Sequence, residues 1–354
     1  MTDQTPAEKL KSELQDLSSS LRDLQSSARL SDLRDRIEDL GGDVKGLDQR
    51  VAALRDKGYA FEKDLEEQAA DFDRDWADIA PGLEKEISRE AAVLARSLAP
   101  LETKLASLTG DRGAPATLTP RVEKLKTEIE NLEGRIEAIE ENIHGAYDQF
   151  QSDVNQLEYH LGRLEWMQTE LSEASFQLLT AESGIMAVKA VWAKETKQTK
   201  GDPEGVLYST DQRILFEQKE KVATKKVLFV ATEKELVQET LWEIPVVLVE
   251  EAKSRKEGFL KKDDYLDLFL DSRAAMDQVH LHIWQRGDDW VALVNRARAG
   301  DFDQTRAIPV DEGLLERVKN APTKCPSCGG AINQPILRGM ESLTCEYCGD
   351  VIRF

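Results

Sequence analysis

The sequence predicts a multi-domain α+β protein with three parts: a long α-helical hairpin, a small β-barrel with a C-terminal helix, and a short metal-bound tail. Three observations predict it. Apolar residues recur at steps of four and three before residue 183, alternate with polar ones after it, and give way to four cysteines near the end. A chain of 354 residues is expected to form two or three domains. We place their bounds at 1–182, 183–302, a linker at 303–320, and 321–354.

Two apolar seams predict the helical hairpin. One runs from Phe72 to Leu108 and the other from Val122 to Phe150, both with the heptad spacing that buries one stripe of a helix against a partner. Residues 109–119 join them as a loop by composition, and Thr119 and Pro120 are predicted to start the second helix. Two long helices with a short connection fold back most simply as an antiparallel coiled coil.

An earlier seam, from Leu10 to Leu54, needs a partner of its own. Residues 1–45 either fold back as a third helix or pair with a second copy of the chain, and the pattern does not choose between them. We expect the seams to support self-association into a homo-oligomer. The pair Gly41 and Gly42, with Gly58, Pro81 and Pro100, marks points where a helix is expected to bend or break.

The charge distribution limits the partners of the helical part. Residues 1–180 carry 22 Lys and Arg against 38 Asp and Glu, which is −16 of the total net charge of −20. Such a surface repels nucleic-acid phosphates and anionic lipids. No apolar run approaches the length of a membrane span, and the first residues have no secretory pattern, so we expect a cytoplasmic protein.

The segment after residue 183 alternates like a series of strands. Candidates are 186–192, 205–208, 213–216, 226–230, 239–243, 246–249, 265–270 and 279–284, followed by a helix from Asp288 to Ala299. The stretches GVLYSTDQRILF at 205–216 and EIPVVLVEEAKS at 243–254, with the closing helix, resemble a GRAM or bacterial PH-like domain. The resemblance implies a capped barrel that binds proteins or phosphoinositides. The polar insert 195–204 and the acidic pair Glu250 and Glu251 depart from it.

The tail contains two matched Cys-x-x-Cys pairs. The four cysteines are separated by the spacing of a zinc ribbon, and they are Cys325, Cys328, Cys345 and Cys348. Four thiolates complete a tetrahedral site for one structural zinc ion and leave no open position for catalysis. A redox Cys-x-x-Cys pair is the alternative, but a redox motif has no need of a matched duplicate. A coiled-coil hairpin followed by this tail also resembles the layout of C4-type zinc-ribbon coiled-coil proteins, some of which are adaptors.

Basic residues form two groups between the predicted strands. One group is Lys219, Lys221, Lys225 and Lys226, and the other is Lys253, Arg255, Lys256, Lys261 and Lys262. Loops of this kind in a PH-like barrel can hold anionic lipid headgroups. The alternative is an ordinary solvated loop, because Glu217, Glu220, Glu257, Asp263 and Asp264 are interleaved with the cations.

The remaining motifs favour binding over catalysis. His280 and His282 stand two apart on one predicted strand and would suit a metal pair, but no third ligand is nearby. No phosphate loop, nucleophile elbow or metalloprotease motif is present. We therefore predict a non-enzymatic cytoplasmic scaffold or adaptor that binds protein partners. The alternatives are a peripheral protein on an anionic membrane and a nucleic-acid factor acting through the zinc ribbon, whose net charge of −2 over residues 301–354 is unfavourable.

Overall fold

The computed structural model describes residues 5–227 and 230–353, except for the side chains of residues 222–234 and of Lys261. Predicted site residues Lys225, Lys226 and Lys261 therefore have side chains outside the description. The chain is mixed α+β, as the sequence predicts, and it divides into two compact units. One contains the residues up to Gln49 and Glu67–Glu158, and the other contains Arg50–Glu66 and Tyr159 onward.

Five helices account for the long apolar seams. They are α1 (Pro6–Ser27), α2 (Ser31–Asp56), α3 (Leu65–Gly110), α4 (Pro115–Gly145) and α5 (Asp148–Glu173). The longest, α3, has 46 residues and a length of about 69 Å at 1.5 Å per residue. Pro81 and Pro100 lie inside it without ending it. The predicted start at Thr119 and Pro120 is wrong, because Pro115 already occupies the first turn of α4.

In the first helical unit, α3 runs antiparallel to α1 and α2 and also packs against α4. Gln25 of α1 donates a hydrogen bond to Glu102 of α3, and Arg34 of α2 contacts Ser88 of α3, so residue numbers rise along one helix as they fall along the other. Lys104 of α3 binds Glu128 of α4 at 2.6 Å, and α1 also packs directly on α4. Residues 10–44 therefore bury their seam within one chain.

The predicted weak point at Gly41 and Gly42 lies inside α2. A Cβ atom at Gly41 would lie 2.7 Å from Trp76 Nε1, whereas one at Gly42 would meet nothing within 4 Å. Trp76 of α3 also stacks on Phe150 of α5, with ring centroids 5.4 Å apart. Gly41 is therefore a site of close approach between α2 and α3. Helix α2 continues through it to Asp56.

The second unit is built on a seven-stranded antiparallel sheet. Its strands are β1 (Gly184–Ala193), β2 (Glu204–Thr210), β3 (Arg213–Val227), β4 (Val230–Pro245), β5 (Val249–Glu257), β6 (Asp263–Leu270) and β7 (Gln278–Ile283). Their order is β4-β3-β2-β1-β7-β6-β5, and α6 (Gly287–Ala299) packs on β5 and β6. The two outer strands, β4 and β5, are not paired with each other in the described chain, so the predicted closed barrel is not shown.

Two strand predictions are wrong for physical reasons. The residues after Pro245, Val246–Leu248, form a single 3₁₀ turn, because proline ends the ladder of β4 before a new strand begins. The predicted strand 226–230 includes residues 228 and 229, which lie outside the described residues. On either side of them β3 ends at Val227 and β4 begins at Val230, and these two residues pair with each other, so they belong to two strands. Most of the basic residues that the sequence placed in loops lie on strands, the first group on β3 and Lys253, Arg255 and Lys256 on β5, whereas Lys262 lies between β5 and β6.

The rest of the second unit consists of short elements. They are α7 (Asp301–Gln304), α8 (Glu312–Asn320), β8 (Ser342–Thr344) and β9 (Val351–Arg353). The segment between α2 and α3 packs against α7 and the residue that follows it. Phe61 is fully buried against Phe302, and Lys63 N–H donates to the Thr305 carbonyl at 3.0 Å. Within the described ranges, no helix combines the length and hydropathy needed to cross a membrane.

Candidate metal centre

Two nearly identical turns bring the four cysteines together. Cys325 N–H donates to the Gly330 carbonyl at 2.8 Å, and Cys345 N–H donates to the Asp350 carbonyl at the same distance. The glycine after the second cysteine of each turn, Gly329 or Gly349, has a φ of 74°, which glycine adopts without steric cost. The local sequence therefore encodes each turn before any long-range contact forms.

The geometry of the sulfur atoms fits a tetrahedral ion. Cys325 Sγ lies 3.7 Å from Cys348 Sγ, and Cys328 Sγ lies 3.7 Å from Cys345 Sγ. All four sulfurs fall within 4.8 Å of one another. A metal–sulfur bond of about 2.3 Å gives a tetrahedron with edges of about 3.8 Å. Cys325, Cys328, Cys345 and Cys348 can therefore hold one metal ion.

The crowding of the thiols also affects their protonation. N–H groups of Cys348 and Tyr347 stabilise the Cys345 thiolate and lower its pKa to about 7. The Asp350 N–H lowers the pKa of Cys348, but hydrogen bonds with the neighbouring thiols, Cys328 foremost, outweigh it and raise that pKa to about 12. Four adjacent sulfurs cannot all carry a negative charge unless a cation compensates them.

Contacts outside the coordination set hold the tail in shape. Ser327 of one turn donates a hydrogen bond to Asp350 of the other. Cys325 and Cys345 are buried with Leu343 and Ile352 in a small apolar cluster. This cluster is too small to stabilise a fold without a crosslink or a metal, so a bound ion would contribute to the stability of the tail.

The tail is attached to the sheet by a network centred on the turn between β2 and β3. Asp211, only 3% exposed, accepts hydrogen bonds from Arg306 and from Arg338, the latter at 2.5 Å. Both arginines also reach Asp303, at 3.2 and 2.9 Å. Burial raises the pKa of Asp211, while the Ser183 N–H and the two guanidinium groups oppose that rise. We call Asp211, Arg306, Arg338 and Asp303 the clamp.

The residues beside Asp211 complete this attachment. Gln212 and Arg338 exchange two hydrogen bonds, Nε2 to carbonyl at 3.0 Å and backbone N–H to Oε1 at 2.5 Å. Arg213 forms a buried ion pair with Glu182, whose carboxylate also accepts from Thr210 at 2.6 Å. The Thr-Asp-Gln-Arg motif thus organises the turn and the segments packed around it. Nothing in the local sequence predicts the clamp, because the partners of Asp211 lie 95 and 127 positions away along the chain.

The predicted basic groups do not form one site. Lys219 lies on β3 and Lys253, Arg255 and Lys256 lie on β5, so the four strands β2, β1, β7 and β6 separate them. Their described side chains are paired with acids: Lys219 with Glu170 and Glu173, Lys253 with Glu251, Arg255 with Asp267, and Lys256 with Asp264. Lys221 and Lys262 are exposed. The prediction that both groups line loops is wrong for the residues on β3 and for Lys253, Arg255 and Lys256 on β5. Lys262 does lie between two strands, β5 and β6.

The two strand histidines have separate environments. His280 is buried and binds Asp267 through Nδ1 at 2.7 Å, while His282 Nδ1 binds Gln198 at 2.6 Å and its ring stacks on Tyr265. Among the residues that the structure describes, the four cysteines are the group of at least three His, Cys, Asp or Glu side chains that could bind a metal. The polar insert 195–204 contributes Gln198, so it packs against β6 and β7.

No family model and no curated protein matches this chain. It is similar to a pleckstrin homology domain from Shewanella amazonensis SB2B, with 18% identity, 38% of this chain and 96% of that one covered, and a TM-score of 0.23. It is also similar to a protein with a pleckstrin-homology domain from Shewanella loihica PV-4, with 14% identity, 39% of this chain and 91% of that one covered, and a TM-score of 0.22.

A longer match is the complex of the PDZ-RhoGEF DH/PH domains with GTP-γ-S activated RhoA. It has 11% identity, covers 78% of this chain and 94% of that chain, and has a TM-score of 0.28. Pleckstrin homology domains therefore recur among the similar structures.

Proposed function

We propose that this chain is a non-enzymatic adaptor that binds protein partners through its sheet-containing unit. The observation that carries the proposal is an open aromatic depression of about 390 Å³ beside β1 and β7. Tyr159 and Trp284 line it and are 68% and 52% exposed, and Trp166 and Val188 complete its floor. Aromatic side chains left this exposed are costly in water and are typical of protein-binding surfaces.

The charges around the depression suit the same role. Arg163 and Lys189 lie at its rim, and Arg163 is oriented by a 2.7 Å hydrogen bond to Gln285. An aromatic centre with a cationic rim favours an acidic partner segment that offers one or two apolar side chains. We name this surface, formed by Tyr159, Arg163, Trp166 and Trp284, the aromatic patch.

The buried ionisable groups support binding over catalysis. Glu182 pairs with Arg213, Asp211 with Arg306 and Arg338, and Asp267 with both His280 and Arg255. Each of these carboxylates is already engaged by a partner within the fold, and removal of either partner would leave a buried charge uncompensated. On this basis we propose that the chain is no enzyme. From the four clustered thiols we propose that its metal is a structural zinc ion.

The helical unit has a narrower role in this proposal. One chain buries its seams from Leu10 to Val154 by itself, so self-association is not needed to cover them. We propose that this unit acts as an acidic spacer that prevents nonspecific association with nucleic acid or lipid.

The test places a photo-crosslinking residue at Tyr159 of the full-length chain and identifies the proteins captured in cells. Each captured protein is then titrated against purified wild type, Trp284→Ala and Tyr347→Ala. The Trp284 variant should weaken binding at least tenfold, whereas the exposed Tyr347 on the tail should matter little. Equal affinities for all three proteins would contradict the proposal.

Peripheral membrane binding is a second candidate, favoured by one observation. Phe259 and Leu260, at the β5–β6 turn, are 87% and 71% exposed, and Leu260 has a φ of 63°, which a leucine rarely adopts. Lys256 and Lys262 flank them. An apolar tip between cations can insert into an anionic interface.

Vesicle co-sedimentation separates the two candidates. Vesicles with phosphatidylserine should retain the wild type and lose Phe259→Ser/Leu260→Ser, and binding should weaken as salt rises. If the wild type does not sediment with these vesicles, or if the double variant binds equally well, membrane docking through this turn is excluded.

A further inference from the structure

A second cavity, of about 540 Å³, lies between β4 and the tail. One wall is β4 residues 241–245, the opposite wall is the stretch between the two cysteine pairs, and the floor includes Leu248 and the turn at 273–276. The tail contributes Gln334, Pro335, Leu337 and Met340. All of these residues belong to one compact unit. We call this cavity the β4 groove.

The pattern of lining residues shows how the groove is oriented. Successive side chains of a strand point to opposite faces of its sheet. Five consecutive residues of β4 nevertheless line the groove. The groove must therefore run along the edge of the strand, where a ligand can contact the backbone of every residue, and not over one face of the sheet.

That edge is chemically open. β4 is an outer strand of the sheet, and no described strand pairs with its free side. An outer strand presents unpaired N–H and C=O groups at alternate residues, and an extended peptide can pair with them. Five residues at about 3.3 Å each give a length of about 17 Å, which accommodates five residues of an added strand.

The side chains around the edge select for an apolar ligand. Leu241, Leu248 and Met276 lie on one side and Leu337 and Met340 on the other. The charged residues of the lining are engaged elsewhere: Arg213 with Glu182 and Glu243, and Arg273 with Asp271 at 2.8 Å. The described lining thus has no unpaired cation to attract a phosphate or a carboxylate headgroup.

We infer that the β4 groove binds an extended, mainly apolar segment of a protein partner, which adds to β4 as an eighth strand. The backbone of β4 supplies affinity and the apolar walls receive alternate side chains of the segment. The inference rests on the proposed adaptor function and assigns it a second surface, distinct from the aromatic patch. The wall formed by the tail makes the site depend on the docked position of that tail.

The test uses the metal-loaded full-length chain and a phage-displayed library of random 12-residue peptides. Selected peptides are synthesised and titrated against wild type, Ala275→Arg and Ala299→Arg. Ala275 is an exposed residue of the groove, so arginine there blocks the site without disturbing a core, while Ala299 at the end of α6 controls for the same change. N-methylation of alternate peptide amides tests for backbone pairing.

The expected result is at least a tenfold loss of affinity for Ala275→Arg, none for Ala299→Arg, and a similar loss for one register of N-methylated peptide. Amide signals of β4 residues 241–244 should shift on titration. The inference is overturned if no peptide is enriched, if Ala275→Arg binds as well as wild type, or if N-methylation has no effect. If decanoate displaces the peptide, and decanoate alone produces the same changes in the β4 amide signals, the groove binds a fatty acid and not a peptide. A cellular partner that depends on Trp284 but not on Ala275 would leave the adaptor function intact and refute the groove alone.

Discussion

Replacement of Asp211 by alanine should destabilise the second unit and detach the tail. Asp211 is 3% exposed and accepts from Arg306 and Arg338, which are themselves almost fully buried. The cost of burying these charges offsets much of the attraction between Asp211 and the two arginines, so the intact network adds little net stability. Removal of the acid, however, leaves two buried guanidinium groups with only Asp303 as their acidic partner. We expect a loss of about 3–5 kcal/mol in the free energy of unfolding.

Urea unfolding followed by tryptophan fluorescence measures this loss, because five of the six tryptophans lie in the second unit. Asp277→Ala is the matched control, since it removes the same charge from an exposed position. Hydrogen exchange should also accelerate at residues 334–340 in Asp211→Ala while the zinc content stays constant. A loss below about 1 kcal/mol, the range of surface ion pairs, would show that the clamp does not hold the tail.

Three further predictions concern the helices, the metal and pH. Gly42→Ala should stabilise the helical unit by up to about 1 kcal/mol, because alanine is the better helix former and nothing lies within 4 Å, whereas Gly41→Ala should destabilise it by displacing Trp76; thermal melts of both variants check the opposite signs. Cys345→Ser should abolish stoichiometric zinc in a chelator assay and leave helical circular dichroism unchanged, and retained zinc would mean that the ligands are misassigned. Burial raises the pKa of Tyr208 well above the ordinary value near 10. The unfolded chain therefore loses that proton first, so stability should be full below pH 10 and fall above it, and Tyr208→Phe should weaken the fall in alkaline urea titrations.

Local patterns determined much of this protein. The spacing of Cys325, Cys328, Cys345 and Cys348 predicted a cluster that the structure shows, because each pair and its glycine form a turn within a few residues. Heptads predicted long helices, and alternation located most strands of the sheet. The same local rules failed at Thr119 and at 246–249, where a proline nearby in the sequence set the actual boundary.

The tertiary structure alone decided which surfaces meet. A heptad seam specifies one buried stripe but not its partner, so only packing showed that residues 10–44 cover α3 within the same chain. The two basic groups look alike in the sequence, yet the fold pairs Lys219, Lys253, Arg255 and Lys256 with acids and places β3 and β5 near opposite edges of the sheet. The clamp, the aromatic patch and the β4 groove all join residues far apart in sequence. Their contacts depend on strand order and on the docking of segments, which periodicity and spacing do not encode.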